Sequence, residues 1–251
     1  MSALRIERDG PLLRVTLAKP ERRNAFDAAL IAELTEAFAE VGDARAVVLA
    51  GEGPSFCAGA DVEWQRSSID LGFEENVEDA LRLFRMLEAV DECPAPVVAA
   101  VQGYALGGGS GLVACVDVAV AREDAVFGFS EVRLGIIPAV ISPFVLRRIG
   151  PGPARRLFLT GERFDAHLAL RVGLVHEVAP DLDEAVERVV ADLLAGGPEA
   201  ARAAKRLVRE RPAGIETARI AAERRTSPEG QDGLRAFLEK RAPAWRSESS
   251  S

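Results

Sequence analysis

Three consecutive glycines between two apolar segments constrain this chain more than any other feature of its sequence. Residues 97–101 are small or β-branched, which is typical of a strand buried on both faces. Gly107, Gly108 and Gly109 follow, and the segment after them is apolar and helix-like. Because glycine has no Cβ, backbone N–H groups at the start of such a helix are open to an oxygen atom of a ligand. The pattern predicts a strand, a glycine turn and a helix start at one ligand-binding point.

A second turn of the same kind lies earlier in the chain. Residues 56–61 read Phe-Cys-Ala-Gly-Ala-Asp and follow a short apolar strand predicted at 46–50. If backbone N–H groups of both turns point at one spot, they form an oxyanion hole, which stabilises charge that develops on a carbonyl oxygen. The two turns together therefore predict chemistry at a carbonyl group.

Alternating strand-like and helix-like segments predict an α/β fold with parallel strands. We expect an α/β core at residues 1–195, followed by a helical C-terminal region at 196–251. Residues 66–76 are polar and are predicted to form a loop. The predicted strands are 4–9, 12–17, 46–50, 97–102, 116–121 and 175–178. The predicted helices are 27–41 (capped by Asn24 or Asp27), 76–90, 152–159, 165–172, 182–195, 198–210, 215–225 and 229–239.

Composition excludes several classes of protein. The 251-residue chain is 48% hydrophobic and 28% charged, with a net charge of −8, which argues against nucleic acid as a partner. The apolar runs are too short to span a bilayer, and the N-terminus lacks the apolar stretch of a signal peptide. The chain has an odd number of cysteines, and their spacing is not that of metal ligands: Cys57, Cys93 and Cys115. We therefore expect free thiols, no metal site and a cytoplasmic location.

Two other kinds of site fit the glycine segments poorly. A dinucleotide-binding G-x-G-x-x-G motif that starts at Gly107 has Leu112 at its sixth position, and no P-loop lysine follows. An acyl-transfer nucleophile is also unsupported, because Cys57 and Ser110 have no histidine base nearby in the sequence. Both histidines of the chain lie in its helical C-terminal half and are expected to be structural or exposed.

Glu131 is the carboxylate whose surroundings suggest chemistry. It lies in segment 127–138, whose other members are mostly apolar. A carboxyl group in such surroundings has a raised pKa and can act as an acid or base near neutral pH. The same residue also fits a glutamate that starts a helix or pairs with Arg133. The sequence pattern alone leaves both interpretations open.

At these positions the chain resembles the crotonase superfamily of enoyl-CoA hydratases and isomerases. The likeness covers nearly the whole chain and is carried by segments 17–25, 56–61 and 102–109 together with Glu131. It implies that the Ala60 and Gly108 N–H groups form the oxyanion hole and that Glu131 is the catalytic glutamate. It also implies a ββα spiral core, a helical C-terminal trimerisation region, and a homo-trimer or dimer of trimers.

The resemblance further implies which residues contact coenzyme A. Lys19, Arg22 and Ala58 correspond to contacts made by the first loop and the first oxyanion turn. Phe237 and Lys240 correspond to contacts near the adenine end, commonly across a subunit boundary. For these two residues, ordinary helix packing and a solvated lysine remain the alternative. Coenzyme A enters as part of the thioester substrate, so no separate cofactor is expected.

Gly111 is a departure from the pattern of many hydratases in the superfamily, which carry two glutamates that hold the attacking water. The first of these glutamates falls at Gly111, whereas one carboxylate is enough to move a proton between carbons. Segments 111–115 and 131–143 nevertheless resemble bacterial methylglutaconyl-CoA hydratases, which share the missing acid. We therefore expect an enoyl-CoA hydratase, a lyase of fatty acid metabolism. The alternatives are a delta3-delta2-enoyl-CoA isomerase and a non-catalytic acyl-CoA-binding oligomer.

Overall fold

Nine strands and twelve α-helices make up the part of the chain that the computed structural model describes, residues 2–247. The strands are β1 (Leu4–Asp9), β2 (Leu12–Leu17), β3 (Ala46–Gly51), β4 (Val97–Val101), β5 (Tyr104–Leu106), β6 (Val118–Arg122), β7 (Val126–Gly128), β8 (Arg163–Asp165) and β9 (Glu177–Ala179). The helices are α1 (Ala28–Ala39), α2 (Val62–Ser68), α3 (Phe73–Glu92), α4 (Gly108–Cys115), α5 (Ser142–Ile149), α6 (Pro151–Thr160), α7 (Ala166–Val172), α8 (Leu182–Ala195), α9 (Pro198–Glu210), α10 (Ile215–Thr226), α11 (Pro228–Glu239) and α12 (Ala244–Ser247).

Two sheets are linked by successive turns of the chain. The large sheet has the order β1-β2-β3-β4-β6-β9, and the small sheet has the order β5-β7-β8. In the large sheet β1 and β2 form an antiparallel hairpin, and all later neighbours are parallel. β4 is followed by β5 and α4, β6 is followed by β7, and the segment after β3 reaches the small sheet through a bridge from Cys57 to Ala105. This repetition confirms the predicted ββα spiral.

Both faces of the large sheet are buried, which explains the continuous apolar runs in its parallel strands. Val47 and Val97 point into the larger hydrophobic cluster, while their neighbours Val48 and Val98 point into a second cluster on the opposite face. α8 covers that second face through Val186 and other apolar side chains. The sheet is therefore a fixed platform on which the turns that follow its strands are held.

The predicted helices with a strong apolar period are all present, and Asp27 rather than Asn24 caps α1 by accepting from the Leu30 N–H. The loop predicted at 66–76 was wrong at both ends, since α2 continues to Ser68 and α3 begins at Phe73. α3 starts early because the Glu75 carboxylate accepts a 2.8 Å hydrogen bond from the Gly72 N–H. The last strand lies at Glu177–Ala179 rather than 175–178.

The C-terminal helices attach to this core mainly through polar contacts. α9 and α10 have no buried residues. Arg202 donates to the Ala44 carbonyl at 3.2 Å, and Lys205 pairs with Asp117 at 2.7 Å. The helical character of this region agrees with the sequence. The domain division between residues 195 and 196 stays a prediction. Residues 248–251 lie outside the described residues. No described helix is long and apolar enough to cross a bilayer.

Candidate active site

The turn that contains Ala60 presents an unpaired backbone N–H. The Phe26 N–H donates to the Gly59 carbonyl at 2.7 Å, and the Asp61 N–H donates to the Phe26 carbonyl at 2.8 Å. The Gly59 carbonyl and the Asp61 N–H both face Phe26, so the N–H of Ala60 points away from Phe26. Within residues 2–247 it has no hydrogen-bond acceptor. Gly59 makes the turn possible with a φ of +90°, and a Cβ there would lie only 2.7 Å from the Leu106 carbonyl oxygen.

The start of α4 presents a second unpaired N–H. Gly108 is the first residue of α4, and the first N–H groups of a helix have no partner within it. Gly107 precedes it with a φ of +51°, which a glycine adopts without strain. A Cβ on Gly109 would lie 2.3 Å from the Cys57 carbonyl oxygen, so the helix start is packed directly against the backbone of the Ala60 turn.

Backbone hydrogen bonds fix these two turns relative to each other. The Cys57 N–H donates to the Tyr104 carbonyl at 2.9 Å, and the Leu106 N–H donates to the Cys57 carbonyl at 3.0 Å. The Ala60 and Gly108 N–H groups therefore belong to one rigid unit. A rigid pair of donors is what an oxyanion hole requires, because donors that are already oriented need no rearrangement when charge develops.

A cleft of about 310 Å³ brings most of the predicted catalytic groups together. Ala58, Ala60, Gly108 and Glu131 all line it. Its size is at the lower end of the range for small-molecule sites. Trp64 and several residues of α3 also line the cleft. Much of the remaining wall is apolar and includes Leu83, Ile136, Ile137, Val140 and Ile141.

Glu131 lies in this cleft with an unsatisfied carboxylate oxygen. It starts a short 3-10 helix, Glu131–Leu134, and its Oε2 is buried without any hydrogen-bond partner among residues 2–247. Burial raises the pKa of the Glu131 carboxyl, which the residue's own backbone N–H only partly offsets. Its Oε1 lies 3.3 Å from the position that a Cβ on Gly107 would take. The carboxyl group therefore adjoins the glycine turn that carries the Gly108 N–H.

The structure supports only one of the two alternative interpretations of Glu131, which were a helix start and an ion pair with Arg133. It does begin a helical turn, but it forms no ion pair with Arg133 or with any other cation in the described part of the chain. A buried carboxylate oxygen that lacks a donor costs stability. Such groups are uncommon in folded proteins and are often found where the chemistry needs them.

Ile141 fills the space beside Gly111. A Cβ on Gly111 would lie 2.4 Å from Ile141 Cγ2 and 2.8 Å from Ile141 Cβ. Ile141 also lines the cleft and is 2% exposed. A carboxylate side chain at position 111 therefore requires Ile141 to shift, and an apolar group lies where the family resemblance places a second acid.

The nucleophiles near the glycine turns are structural. Burial raises the pKa of the Cys57 thiol to about 12, so a thiolate is not accessible there. The Ser110 hydroxyl donates to the Ala105 carbonyl at 2.6 Å and accepts from the Gly128 N–H at 3.3 Å. Neither His167 nor His176 lines the cleft. Within residues 2–247, no three His, Cys, Asp or Glu side chains are grouped to hold a metal ion.

The first loop, which carries two predicted coenzyme A contacts, adjoins the Ala60 turn without lining the cleft. Lys19 pairs with Asp27, and the Arg22 guanidinium donates to the Asp61 carboxylate at 3.0 Å. Burial alone raises the pKa of Asp61, but the hydrogen bonds from Arg22 and from two α2 N–H groups outweigh it and lower that pKa. Buried Asn24 holds the loop through its side-chain contacts with the backbone of residues 19, 52 and 55.

Phe237 and Lys240 lie at the end of α11 and do not line the cleft. Phe237 is 81% exposed, and Lys240 is also exposed. Neither residue therefore reaches the cleft of its own chain. Their predicted contact across a subunit boundary stays a prediction.

Among the cleft residues that the sequence did not identify, Asp79 and Ile141 have the clearest contacts. Asp79, on α3, lines the cleft and accepts a 3.3 Å hydrogen bond from the Trp64 indole N–H. The sequence predicted a helix at 76–90 but assigned no role to Asp79. Ile141 lay in an apolar run whose contact with Gly111 depends on how distant segments pack. No local pattern signals either role.

Comparison with known proteins agrees with this geometry. The sequence model of the family described as Enoyl-CoA hydratase/isomerase matches residues 7–248. A protein of Rhodobacter capsulatus named "Probable enoyl-CoA hydratase" is 38% identical over 254 residues, covering 96% of this chain and 96% of that protein.

Solved structures show the same likeness. Pseudomonas aeruginosa AtuE superposes with a TM-score of 0.93 at 40% identity, covering 97% of this chain and 99% of its own. An enoyl-CoA hydratase from Shewanella pealeana superposes with a TM-score of 0.90 at 39% identity, covering 97% and 96%. The chain therefore has the crotonase fold and belongs to the enoyl-CoA hydratase/isomerase family.

Proposed function

We propose that this protein is an enoyl-CoA hydratase that adds water across the C2–C3 double bond of a 2-enoyl-CoA thioester. The observation that carries the proposal is that one cleft contains two unpaired N–H groups, from Ala60 and Gly108, and the Glu131 carboxylate, whose Oε2 is unpaired. Donors without an acceptor suit a thioester oxygen that gains charge. A carboxylate with a raised pKa suits proton transfer near neutral pH.

In the proposed mechanism the Ala60 and Gly108 N–H groups bind the thioester oxygen and make C3 electrophilic. The Glu131 carboxylate accepts a proton from water as the water oxygen bonds to C3. The electron pair of the double bond moves onto the thioester oxygen, giving an enolate held by the two N–H groups. Glu131 then donates the proton to C2. One carboxylate therefore acts first as the base and then as the acid, and ends in its starting state.

The variant Glu131→Gln tests this assignment, since it keeps the shape of the side chain and removes its proton chemistry. We expect kcat for hydration to fall by about a hundredfold or more, while acyl-CoA binding is retained. Glu123→Gln is the matched control, because Glu123 is exposed and outside the cleft. Full hydratase activity in Glu131→Gln contradicts the assignment.

A second candidate reaction, isomerisation of a 3-enoyl-CoA to a 2-enoyl-CoA, is favoured by one observation. Ile141 occupies the space at Gly111, so no second carboxylate is present there to hold a water molecule. Glu131 alone can remove a proton from C2 and deliver it to C4. Separate incubations with 2-enoyl-CoA and 3-enoyl-CoA distinguish the reactions: hydration of the former supports the hydratase, and turnover of only the latter supports the isomerase. Binding with no turnover of either supports the third reading, a non-catalytic acyl-CoA-binding oligomer.

Coenzyme A contacts belong to the same proposal. Lys19, Arg22 and Ala58 adjoin or line the side of the cleft formed by the Ala60 turn, and we assign the coenzyme A moiety to that side. Phe237 and Lys240 are exposed on α11 and suit a contact made in a homo-trimer or dimer of trimers. Competition between free coenzyme A and the substrate, measured in Lys19→Ala and Arg22→Ala, tests the first group.

A further inference from the structure

The wall of the cleft carries negative charge without any balancing positive charge. Its ionisable side chains are Glu131 and Asp79, and within residues 2–247 no Lys, Arg or His lines it. The rest of the wall is apolar or neutral. A site of this kind treats ligands differently according to the charge on the part that enters it.

Asp79 is held in place as a fixed negative group. Its side chain is 19% exposed, and its Oδ1 accepts the 3.3 Å hydrogen bond from Trp64 Nε1. Its Oδ2 has no hydrogen-bond partner in the described part of the chain. The Arg82 guanidinium is 3.8 Å from Oδ1, but the Arg82 side chain is 61% exposed. A pair of that length and exposure is well screened and neutralises little of the charge of Asp79.

Asp79 lies on the wall of the cleft where the proposed function places the acyl tail. Leu83 lies four residues later on α3 and therefore on the same face of the helix. Both residues line the cleft, together with apolar side chains such as Val140 and Ile141. With the thioester oxygen at Ala60 and Gly108, this wall is what remains to receive the acyl chain.

We propose that Asp79 restricts this enzyme to acyl-CoA thioesters with an uncharged acyl tail and rejects tails that end in a carboxylate. This inference rests on the proposed function for the placement of the thioester. A carboxylate at the end of the acyl tail meets Asp79 and Glu131 where no described cation lines the cleft, and specificity commonly arises from such repulsion as well as from attraction.

Binding of saturated thioesters tests the proposal without any turnover. Butanoyl-CoA and succinyl-CoA have acyl chains of equal carbon number and differ in the terminal carboxylate. Their dissociation constants are measured by calorimetry with the wild type, with Asp79→Asn, and with Glu78→Gln, which removes a charge from an exposed neighbour on α3. Asp79→Asn keeps an oxygen that can accept from Trp64.

We expect the wild type to favour butanoyl-CoA, and Asp79→Asn to reduce that preference by about tenfold, the effect of one partly screened charge pair. Glu78→Gln is expected to leave the preference unchanged. Higher salt is expected to weaken the preference in the wild type more than in Asp79→Asn. Equal binding of both thioesters by the wild type, a preference for succinyl-CoA through Arg82, or an unchanged preference in Asp79→Asn overturns the proposal.

Turnover separates this inference from the proposed function. 2-Pentenoyl-CoA and glutaconyl-CoA form the corresponding pair of unsaturated substrates, and the ratio of their kcat/KM values is expected to follow the binding preference. If neither is hydrated, the hydratase proposal fails, while the binding ratio still decides the role of Asp79. If both are hydrated equally well, Asp79 does not select the substrate and the hydratase proposal stands.

Discussion

At the scale of single residues, the cleft contains a conflict between stability and chemistry. Glu131 is half-buried in a largely apolar wall, and its Oε2 is buried without a donor among the described residues. Burial raises the pKa of this carboxyl group above that of an ordinary glutamate. A neutral side chain here would favour folding, so this arrangement supports the proposed role of Glu131 in proton transfer.

The pH dependence of stability follows from this shift. Because the folded-state pKa of Glu131 lies above its unfolded-state value, the ionised carboxylate destabilises the fold above the raised pKa, and this cost vanishes below the unfolded-state pKa. We expect Glu131→Gln to unfold at a temperature equal to or higher than the wild type at about pH 8, with the difference disappearing near pH 4. Calorimetric melts across this range measure it, and a variant that melts lower only at high pH contradicts it.

The raised pKa also shifts the activity profile. If Glu131 acts as the base, kcat/KM falls as pH decreases through its pKa, and the acidic limb lies above the ordinary range for glutamate. Profiles of kcat/KM against pH show this directly. A limb at the ordinary glutamate value indicates that another group controls the rate.

Gly111 and Ile141 form a pair in which each residue limits the other. Gly111→Glu alone is expected to destabilise the protein by about 1–3 kcal/mol, because its Cβ already overlaps Ile141. Gly111→Glu/Ile141→Ala is expected to be more stable than the sum of the single variants predicts, since one change makes room for the other. Urea unfolding of the two single variants and the double variant measures the coupling. Strict additivity contradicts the contact.

The contact between Gly111 and Ile141 also decides how the missing acid at position 111 can be tested. Gly111→Glu by itself is a poor probe of hydration, because steric overlap and the added carboxylate act together. The double variant separates them, with Ile141→Ala as its control. A gain in hydration by the double variant, absent from Ile141→Ala, shows that the natural cleft lacks a second water-holding group.

At the scale of elements, the geometry of the site depends on how α4 docks. Its first turn lies directly against the backbone of the Ala60 turn, at Gly109 and Cys57. The rigidity of the predicted oxyanion hole therefore comes from a contact between backbones rather than from side chains. Substitutions that separate the two segments should reduce the rate without altering Glu131.

Gly109→Ala tests that contact. Its methyl group meets the Cys57 carbonyl oxygen at 2.3 Å, so α4 must shift and carry the Gly108 N–H with it. We expect kcat to fall by about a hundredfold, as when one oxyanion donor is lost. Gly152→Ala in α6 is the control: apart from its chain neighbours, a Cβ there has no atom within 4 Å, and α6 does not line the cleft, so we expect no loss of rate. Normal kcat in Gly109→Ala contradicts the role of this contact.

Elements with a strong periodic pattern could be predicted from the sequence. The hairpin β1–β2 and helices α1, α8 and α9 lie within a few residues of their predicted positions. The short strands β5, β7 and β8 were not predicted, because three residues are too few to show alternation. They exist because they pair with one another at the side of the spiral.

At the scale of the whole molecule, the C-terminal helices expose apolar side chains that the described chain leaves uncovered. Phe237 and Leu238 on α11 are 81% and 77% exposed, and Val208 on α9 is 75% exposed. Exposed apolar side chains on neighbouring helices are typical of an interface between subunits. They are consistent with the trimer that the family resemblance implies.

Leu238→Asp tests whether this surface joins subunits. If it does, the variant is expected to sediment as a smaller species than the wild type, because a buried charge at an interface is costly. Arg235→Gln changes the charge of the same helix by one unit without removing apolar surface and serves as the control. Equal sedimentation of Leu238→Asp and the wild type contradicts an interface at this residue.

The sequence by itself determined an α/β core with parallel strands and two glycine turns suited to a carbonyl oxygen, because those turns and the apolar strands leave few conformations open to the backbone near them. The spiral and the roles predicted for Ala60, Gly108 and Glu131 came from the family resemblance. The tertiary structure alone decided what surrounds them. Ile141 lies against Gly111, and Asp79 lines the cleft, because segments distant in sequence pack together. Local residue patterns do not predict such long-range packing.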